Sequence, residues 1–359
     1  MSRLFAYNYD FEFELAGAQV QPARHRLPWH LLNRQALLLW PLLEPGDFLA
    51  VYEEPDPALV APLAERLGFV PKWWVIPAQE TNRVGQDLQG MDLGGLELVP
   101  WGWSPSMERL AGKDTGLLPA RFNSKLFSHA LRPKELAPRA AVVDDPQWLP
   151  RFLAQAQQEW GRLLVKHPWG ASGKWQLALD GPPTAKVLAT ARAWVREAGG
   201  VLVEERLPLE GEWSLQFEVE ANGPKLLGIT RLFCDPMGSH RANQVGLQPQ
   251  VPLKPVLQAA EAMAGVLAQE GYLGPLGVDL LESRGGLKIG ELNARLTMGR
   301  LCLEWARALG EPGRMEIGPP GTMGPGLRLN FAYSDKLGRG WETVYQTNPT
   351  PSTGATPLG

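Results

Sequence analysis

Three oxygen-bearing side chains in the last third of the chain have the spacing of a divalent-metal site. Asp279 lies in the apolar run 276–281, and Glu291 and Asn293 end the run that follows. Side chains alternate along a strand, so Glu291 and Asn293 face the same side. A hairpin centred on Gly285 would place Asp279 directly opposite Glu291. Two carboxylates that close repel unless a cation lies between them, and Mg²⁺ prefers such oxygen ligands. The alternative is that both acids are solvated charges at strand ends.

A glycine-rich segment, 166–174, lies earlier in the chain between two predicted strands. Four small residues occupy its centre: Gly170, Ala171, Ser172 and Gly173. Small residues let backbone N–H groups approach an anion, and Lys166 adds positive charge. A Walker loop needs glycine at 168 and serine or threonine at 175, whereas the chain has Pro168 and Trp175. The segment is therefore either a hairpin whose tip folds over phosphates or a purely structural hairpin.

Two arginines follow the predicted metal site. The guanidinium groups of Arg295 and Arg300 suit a carboxylate or a phosphate, so either residue could hold an anionic substrate. The alternative for each is an exposed arginine with a local partner. We find no arrangement of Ser, His and Asp or of Cys and His that would predict a protein nucleophile.

Strands and helices alternate around these residues. In the first 118 residues, a strand at 46–52, a helix at 57–67 and a strand at 73–76 indicate a parallel sheet. Further on, the predicted helices are 123–131 with Asn123 as its cap, 145–160, 184–198 and 254–270. The predicted strands are 162–166, 175–179, 201–205, 213–220, 225–230, 276–281 and 287–292. Residues from 343 onward are predicted to be a loop-like tail.

Composition limits the class of protein. The 359 residues carry 35 Lys+Arg against 38 Asp+Glu, a net charge of −3, which argues against general nucleic-acid binding. The length predicts two or three lobes. Two cysteines cannot form a disulfide framework, and no apolar run approaches the ~18 residues of a spanning helix. The acidic N-terminus does not resemble a signal peptide, so we expect a cytoplasmic protein without a membrane partner.

The chain contains 14 tryptophans, among them Trp73, Trp74, Trp101 and Trp103. Tryptophan buries a large surface, so these four side chains are expected in the core. The alternative is an interface with a partner.

Taken in chain order, the segments resemble the ATP-grasp superfamily, chiefly its carboxylate–amine ligases. The resemblance covers roughly 119–300, about half of the chain, and depends on the order of the motifs more than on any one of them. It implies an α/β (α+β) fold in which two α+β lobes clamp ATP, preceded by an N-terminal α/β domain. The implied division is 1–118 for that domain, 119–203 for the small lobe, 204–342 for the large lobe and 343–359 for the tail.

The resemblance also implies roles for individual residues. Nucleotide contacts fall on Lys125, Lys166, Gly170, Ala171, Ser172, Gly173, Glu204, Glu205 and Glu212. Either Glu204 or Glu205 would meet adenine, and Glu212 would hold the ribose. Asp279, Glu291 and Asn293 match the Mg²⁺ ligands, and Arg231 and Arg295 are candidate catalytic contacts to phosphate. The sequence departs from the family pattern in a slightly long interval from Glu204 to Glu212, in Ala294 where proline is frequent, and in 232–250, which matches nothing and could hold a substrate-specific loop.

The implied activity is ATP-dependent ligation of a small-molecule carboxylate to an amine, amino acids or peptides among them, through an acyl phosphate with release of ADP and phosphate. The implied cofactors are ATP and Mg²⁺, and a homodimer is consistent with the family. Alternatives are a kinase, a thioester-forming ligase, a carboxylase, or a nucleotide-binding regulatory protein without turnover. A biotin-dependent carboxylase is disfavoured because no biotin-carrier segment follows, and the complete set of metal ligands argues against an inactive protein.

Overall fold

The computed structural model describes residues 2–17, 35–77, 84–113, 118–170, 173, 175–235, 238–319, 321–330 and 342–348. These residues form three sheets, and each sheet is the centre of one lobe. Within these ranges no helix has the length and apolar character needed to cross a bilayer.

The N-terminal lobe contains a parallel sheet in the order β3-β2-β1-β4. Its strands are β1 (Arg3–Ala6), β2 (Phe48–Val51), β3 (Lys72–Val75) and β4 (Glu97–Pro100). Its helices are α1 (Phe11–Leu15), a 3₁₀ helix (Leu37–Leu42), α2 (Pro57–Leu67), α3 (Val84–Asp87) and α4 (Pro105–Leu110). The side chain of Asp56 caps α2, and Gly68 ends it at φ 80°, so the predicted helix is confirmed at both ends.

Two of the tryptophans pack inside this lobe. The ring centroid of Trp73 lies 6.0 Å from that of Trp40, and the centroid of Trp74 lies 5.8 Å from that of Phe48. Both pairs meet edge to face. These contacts support core packing for Trp73 and Trp74.

The small lobe is an antiparallel sheet in the order β5-β8-β6-β7, with two helices. The elements are β5 (Ala140–Val143), α7 (Leu149–Trp160), β6 (Leu163–Lys166), β7 (Gln176–Leu179), α8 (Ala185–Ala198) and β8 (Val201–Glu205). Thr184 caps α8, as its position before the helix predicts. The strand β8 runs to Glu205, so the predicted lobe boundary after 203 falls inside a strand.

The segment before the small sheet packs on the large lobe. It contains α5 (Leu118–Phe122), α6 (Lys125–Leu131) and a 3₁₀ helix (Lys134–Leu136). The ring of Phe122 lies in the same core as Trp213 and Phe217 of the large lobe, although 119–136 was predicted to belong to the small lobe. The cap of α6 is Ser124 instead of the predicted Asn123, because the Ser124 hydroxyl accepts from the Leu126 N–H at 3.2 Å.

The large lobe is an eight-stranded sheet in the order β13-β12-β9-β10-β11-β14-β16-β15. Its strands are β9 (Gly211–Glu220), β10 (Gly223–Cys234), β11 (His240–Gln244), β12 (Gly274–Ser283), β13 (Gly286–Asn293), β14 (Gly313–Gly318), β15 (Leu327–Asn330) and β16 (Glu342–Thr347). Two helices complete it, α9 (Lys254–Gln269) and α10 (Met298–Leu309). One apolar core extends from this lobe into the N-terminal lobe and joins Phe5 and Trp40 to Trp305, Leu329 and Tyr345.

One prediction about a loop is wrong, and one unassigned stretch contains strands. The predicted tail begins at 343, yet Glu342–Thr347 is the strand β16, hydrogen-bonded to β14 and β15. Its alternating Thr, Val and Tyr favour a strand, and the Pro- and Gly-rich residues on either side obscure that signal. The unassigned stretch 232–250 contains the end of β10 and the whole of β11. The rest of the predicted tail, 349–359, lies outside the described residues.

Candidate functional site

A cleft of about 1030 Å³ separates the small lobe from the large lobe. Most of the residues selected from the sequence line it: Lys125, Lys166, Gly170, Gly173, Glu204, Glu205, Glu212, Asp279, Glu291, Asn293 and Arg295. Ala171 and Ser172 lie outside the described residues. One region of the molecule therefore brings together lysines, glycines and carboxylates that are up to 166 positions apart in the chain.

The predicted pairing of the two acids is confirmed, but the turn alone does not produce it. In the β12–β13 hairpin, Asp279 lies directly opposite Glu291. The hairpin turns between Ser283 and Gly286, and a regular ladder from this turn would pair Asp279 with Gly290. Gly290 is instead the extra residue of a β-bulge, which moves the pairing on by one residue.

The same bulge decides which way Glu291 points. Leu287 and Ile289 lie in the apolar core of the large lobe, and strict alternation would send Glu291 into that core as well. Beyond the bulge the parity changes, so Leu292 enters the core and Glu291 faces the cleft. A Cβ on Gly290 would lie 3.3 Å from the Asp279 carbonyl oxygen, which explains the glycine at this close approach.

Hydrogen bonds fix both carboxylate oxygens of Asp279. The Ser214 hydroxyl donates to Oδ1 at 2.7 Å, and the Asn293 amide donates to Oδ2 at 3.0 Å. Arg295 Nη2 in turn donates to Asn293 Oδ1 at 3.0 Å, and its Nε donates to Glu12 of the N-terminal lobe at 2.9 Å. The acids are thus held by a network that reaches all the way to α1.

The two facing carboxylates influence each other's protonation. Burial raises the pKa of Asp279 to about 6, and the negative charge of Glu291 adds to the rise. Burial also acts to raise the pKa of Glu291, but the charges of Lys125 and Lys166 outweigh it and hold that pKa below its ordinary value. The Lys125 ammonium donates directly to Glu291 Oε2. An additional cation beside the pair would therefore relieve the repulsion between the Asp279 and Glu291 carboxylates.

A second buried carboxylate lies on the small-lobe side of the cleft. Glu204 on β8 accepts from Lys166 Nζ at 2.5 Å and from Arg132 Nη1 at 3.0 Å. Burial would raise the pKa of Glu204, but Lys166 and Arg132 lower it below its ordinary value. Its neighbour Glu205 pairs with Arg139 at the surface. Glu204 is therefore charged and paired on both sides.

Glu212 lies on β9, at the far side of the cleft from the glycine-rich hairpin. Burial raises the pKa of Glu212, while a hydrogen bond with Cys234 works in the opposite direction. The Cys234 thiol has a pKa raised to about 12 by burial and by Glu212. A thiol with so high a pKa is a poor nucleophile, so Cys234 has no covalent role at neutral pH.

Aromatic rings anchor the base of the glycine-rich hairpin. His167 is fully buried, and its ring lies 4.9 Å from that of Trp175 and 5.6 Å from that of Trp194. Burial lowers the pKa of His167 to about 4, with Lys125 adding to the fall, so the ring is neutral. Trp175 has φ 56°, a left-handed conformation that non-glycine residues rarely adopt. A Cβ on Gly173 would lie 2.5 Å from the Gly238 carbonyl oxygen, so this position requires glycine.

The prediction for Arg231 is not supported by its position. Its strand neighbours Leu232 and Cys234 line the cleft, so alternation turns Arg231 to the other face of the sheet. There its guanidinium lies 5.4 Å from the centroids of Trp213 and Phe233. A phosphate in the cleft is out of reach of this side chain, since the sheet lies between them.

Arg300 also has another role. It lies in α10, where its guanidinium pairs with Glu218 and Glu304 at 2.7 Å each. These contacts match the alternative of a local partner.

Sequence reasoning missed several polar residues of the site: Glu12, Arg132, Ser214, Gln216 and Thr297. One of them had a usable signal, since Ser214 lies two residues after Glu212 and must share its face of β9. Glu12 and Arg132 had none, because they contact the site only through folding of distant segments.

Comparison with solved structures shows that the chain has the ATP-grasp fold, as the resemblance predicted. Biotin carboxylase from Campylobacter jejuni, in a β,γ-ATP complex, matches with a TM-score of 0.59 and 10% identity over 97% of this chain and 88% of that one. N5-carboxyaminoimidazole synthetase from Staphylococcus aureus with ADP matches with a TM-score of 0.53 and 10% identity over 97% and 94%.

The biotin carboxylase domain of Hydrogenobacter thermophilus 2-oxoglutarate carboxylase gives a TM-score of 0.56 and 13% identity over 89% and 75%. It is a dimer in complex with MgADP, ADP and bicarbonate. Neither a protein-family model nor a curated protein sequence matches the chain. At these identities the likeness establishes the fold alone.

Proposed function

We propose that the protein is an ATP-dependent ligase that joins a small-molecule carboxylate to an amine through an acyl phosphate, releasing ADP and phosphate. The observation that carries the proposal is the arrangement in one cleft of two lysines, Lys125 and Lys166, with the facing acids Asp279 and Glu291. Lysines neutralise phosphate charge, and paired acids attract the cation that accompanies a nucleotide.

The nucleotide would lie between the two lobes. Lys125 and Lys166 would contact its phosphates, each leaving the carboxylate that it now pairs with. The glycine-rich segment 170–173 would cover those phosphates with backbone N–H groups. The strand β8 would present either Glu204 or Glu205 to the adenine, and Glu212 on β9 would hold the ribose hydroxyls. The cleft volume of about 1030 Å³ accommodates a nucleotide together with a second small molecule.

The residues present fit Mg²⁺. Asp279 and Glu291 supply hard oxygen atoms from neighbouring strands. Asn293 lies on the same face, where its amide oxygen, now hydrogen-bonded to Arg295, would have to turn to the metal. Burial, and after it the negative charge of Glu291, raises the pKa of Asp279, so a cation between the two carboxylates would be favoured. When bound, the metal would neutralise charge on the phosphates. Among the described residues no group of three or more His, Cys, Asp or Glu side chains is arranged to hold a metal ion. Phosphate oxygens and water would complete the ligand set.

The chemistry requires positioning and charge more than a protein nucleophile. An oxygen of the substrate carboxylate would attack the γ-phosphorus. The bond between that phosphorus and the β–γ bridging oxygen would break, and ADP would leave. The amine nitrogen would then attack the acyl carbon, the bond from carbon to the phosphate oxygen would break, and the nitrogen would lose a proton. Arg295 lines the cleft beside Asn293 and would hold the acyl phosphate.

The test is a coupled measurement of ADP and phosphate with a panel of carboxylates and amines. Bicarbonate is included because a structural neighbour is described with it, and amino acids are included as the family expectation. We expect phosphate release that depends on the carboxylate, and hydroxylamine should trap the activated acyl group as a hydroxamate. Formation of AMP and pyrophosphate would overturn the proposal. So would a stable phosphorylated product, which identifies a kinase.

A further inference from the structure

Arg132 is a buried charged residue for which the proposed chemistry has no use. It follows the last residue of α6 and precedes Pro133, which prevents the helix from continuing. Its side chain is 1% exposed, as is that of its partner Glu204. A buried guanidinium carries a large desolvation cost, so its partners indicate what it stabilises.

Those partners lie on two different sheets. Arg132 Nη1 donates to Glu204 Oε2 on β8 at 3.0 Å. The same nitrogen donates to the Ile289 carbonyl oxygen at 3.2 Å and to the carbonyl oxygen of Gly290. One side chain therefore connects the strand β8 of the small lobe to the β-bulge beside Glu291.

The helix α6 takes the place of a neighbouring strand along β13, which is the edge of its sheet. Lys125, Ser128 and Arg132 recur at the spacing of one helix face. Lys125 donates to Glu291, the Ser128 hydroxyl accepts from the Leu292 N–H at 2.9 Å, and Arg132 takes the two carbonyl groups at the bulge. The face thus satisfies backbone groups that a bulge on an edge strand would leave without partners.

We propose that Arg132 is a positioning residue of the site: it fixes the bulge at Gly290 that aims Glu291 at Asp279, and it holds Glu204 beside Lys166. This inference rests on the proposed function, because the orientation of Glu291 matters for activity only if its carboxylate binds the metal. Arg132 touches no reacting atom. It acts through the carbonyl groups on one side and the carboxylate on the other.

The geometry explains why the residue is arginine. A planar guanidinium can donate hydrogen bonds to a carboxylate and to carbonyl oxygens together, whereas lysine has a shorter side chain that ends in a single charged nitrogen. Arg132→Lys should therefore keep the pairing with Glu204 and loosen the bulge. Arg132→Met should lose both.

The experiment measures two affinities separately: ADP by calorimetry, and Mn²⁺ in the presence of saturating ADP by electron paramagnetic resonance of free Mn²⁺. For Arg132→Met we expect Mn²⁺ affinity to fall about 10- to 100-fold, the range for a residue that orients a metal ligand. Arg132→Lys, which retains the buried charge and serves if the Met variant does not fold, should lose about 10-fold.

Two variants separate positioning from a general loss of structure. Glu204→Gln removes the ion pair but leaves the bulge contacts, so it should weaken ADP binding while Mn²⁺ affinity stays within about 2-fold. Arg139→Met removes the neighbouring arginine, whose partner is Glu205 and which has no contact with β13, so both affinities should stay within about 2-fold.

The outcomes are distinct. If the native protein binds neither ADP nor Mn²⁺, the proposed function is wrong and this inference falls with it. If it binds both, and a folded Arg132 variant binds Mn²⁺ as tightly, only the inference is overturned. An equal loss of Mn²⁺ affinity in Glu204→Gln and Arg132→Met also overturns it, since the effect would then be merely structural.

Discussion

The two hairpins that face each other across the cleft are built very differently. The acidic hairpin consists of β12 and β13, ten and eight residues long, and β12 is paired on its other side with β9. The glycine-rich hairpin consists of β6 and β7, each four residues long, with β7 at the edge of its sheet. The acids are therefore fixed by a register that many residues share. Lys166 depends instead on a short strand and on its buried partner Glu204.

The first way to test this contrast is to remove charge from the acidic hairpin. Glu291→Gln keeps the shape of the side chain but loses a metal oxygen and the partner of Lys125, so ATP turnover should fall at least about 100-fold. Phosphate release measures the effect, and circular dichroism checks that the fold is intact. The matched control is Glu304→Gln, whose carboxylate pairs with Arg300 outside the cleft. Turnover of Glu291→Gln at the native rate would exclude a metal role.

The second test acts on the glycine-rich hairpin. Lys166→Ala removes one charged contact to phosphate, and we expect ATP affinity to fall about 10- to 100-fold, as for the loss of a charged hydrogen bond. Calorimetry with ATP gives the dissociation constant. Lys186→Ala, an exposed lysine in α8 of the same lobe, should leave that constant unchanged. Equal affinities in the two variants would show that Lys166 does not meet the nucleotide.

The third test uses pH. Asp279 has a pKa raised to about 6 in the metal-free site, and metal binding needs its charged form, so turnover at subsaturating Mg²⁺ should decline as the pH falls below about 6. Ser214→Ala removes a hydrogen bond that lowers this pKa, so the acid limb should move to higher pH with a turnover loss of only about 5-fold. A pH–rate profile of both proteins gives the comparison. An unchanged limb in Ser214→Ala would show that another group sets it.

The Asp279 carboxyl also affects the stability of the protein, and lowering the pH acts on stability in the opposite direction to its effect on turnover. Because the pKa of Asp279 is higher in the native state than its ordinary value of 3.8, the charged form destabilises the unliganded protein above about pH 6. That cost disappears as the pH falls toward 4. The difference in unfolding free energy between the native protein and Asp279→Asn should therefore shrink over this interval, as measured by denaturant titration.

Features of the fold and the site could be predicted from the sequence where neighbouring residues determine them. The hairpin that carries Asp279 and Glu291 was predictable, because turn residues and apolar runs are local signals, although the direct pairing of the two acids depends on the bulge. The bulge at Gly290 was not, since a glycine in a strand has several explanations and only the pairing with β12 distinguishes them. Arg231 was proposed as a phosphate contact from its place near the end of a predicted strand. The parity along that strand, which turns its side chain away from the cleft, was not followed. Arg132 and Glu12 act through tertiary contacts that have no trace in their neighbours.

The strand β16 has a consequence for how the chain is made. It is the last described strand, yet it lies between β14 and β15, and within the described part of the chain β15 pairs with β16 alone. A nascent chain that has left the ribosome as far as residue 330 thus has no place to attach β15. Tyr345 of β16 and Leu329 of β15 also share a core with Phe5 of the first strand. The N-terminal lobe therefore completes its packing only after β15 and β16 have been synthesised.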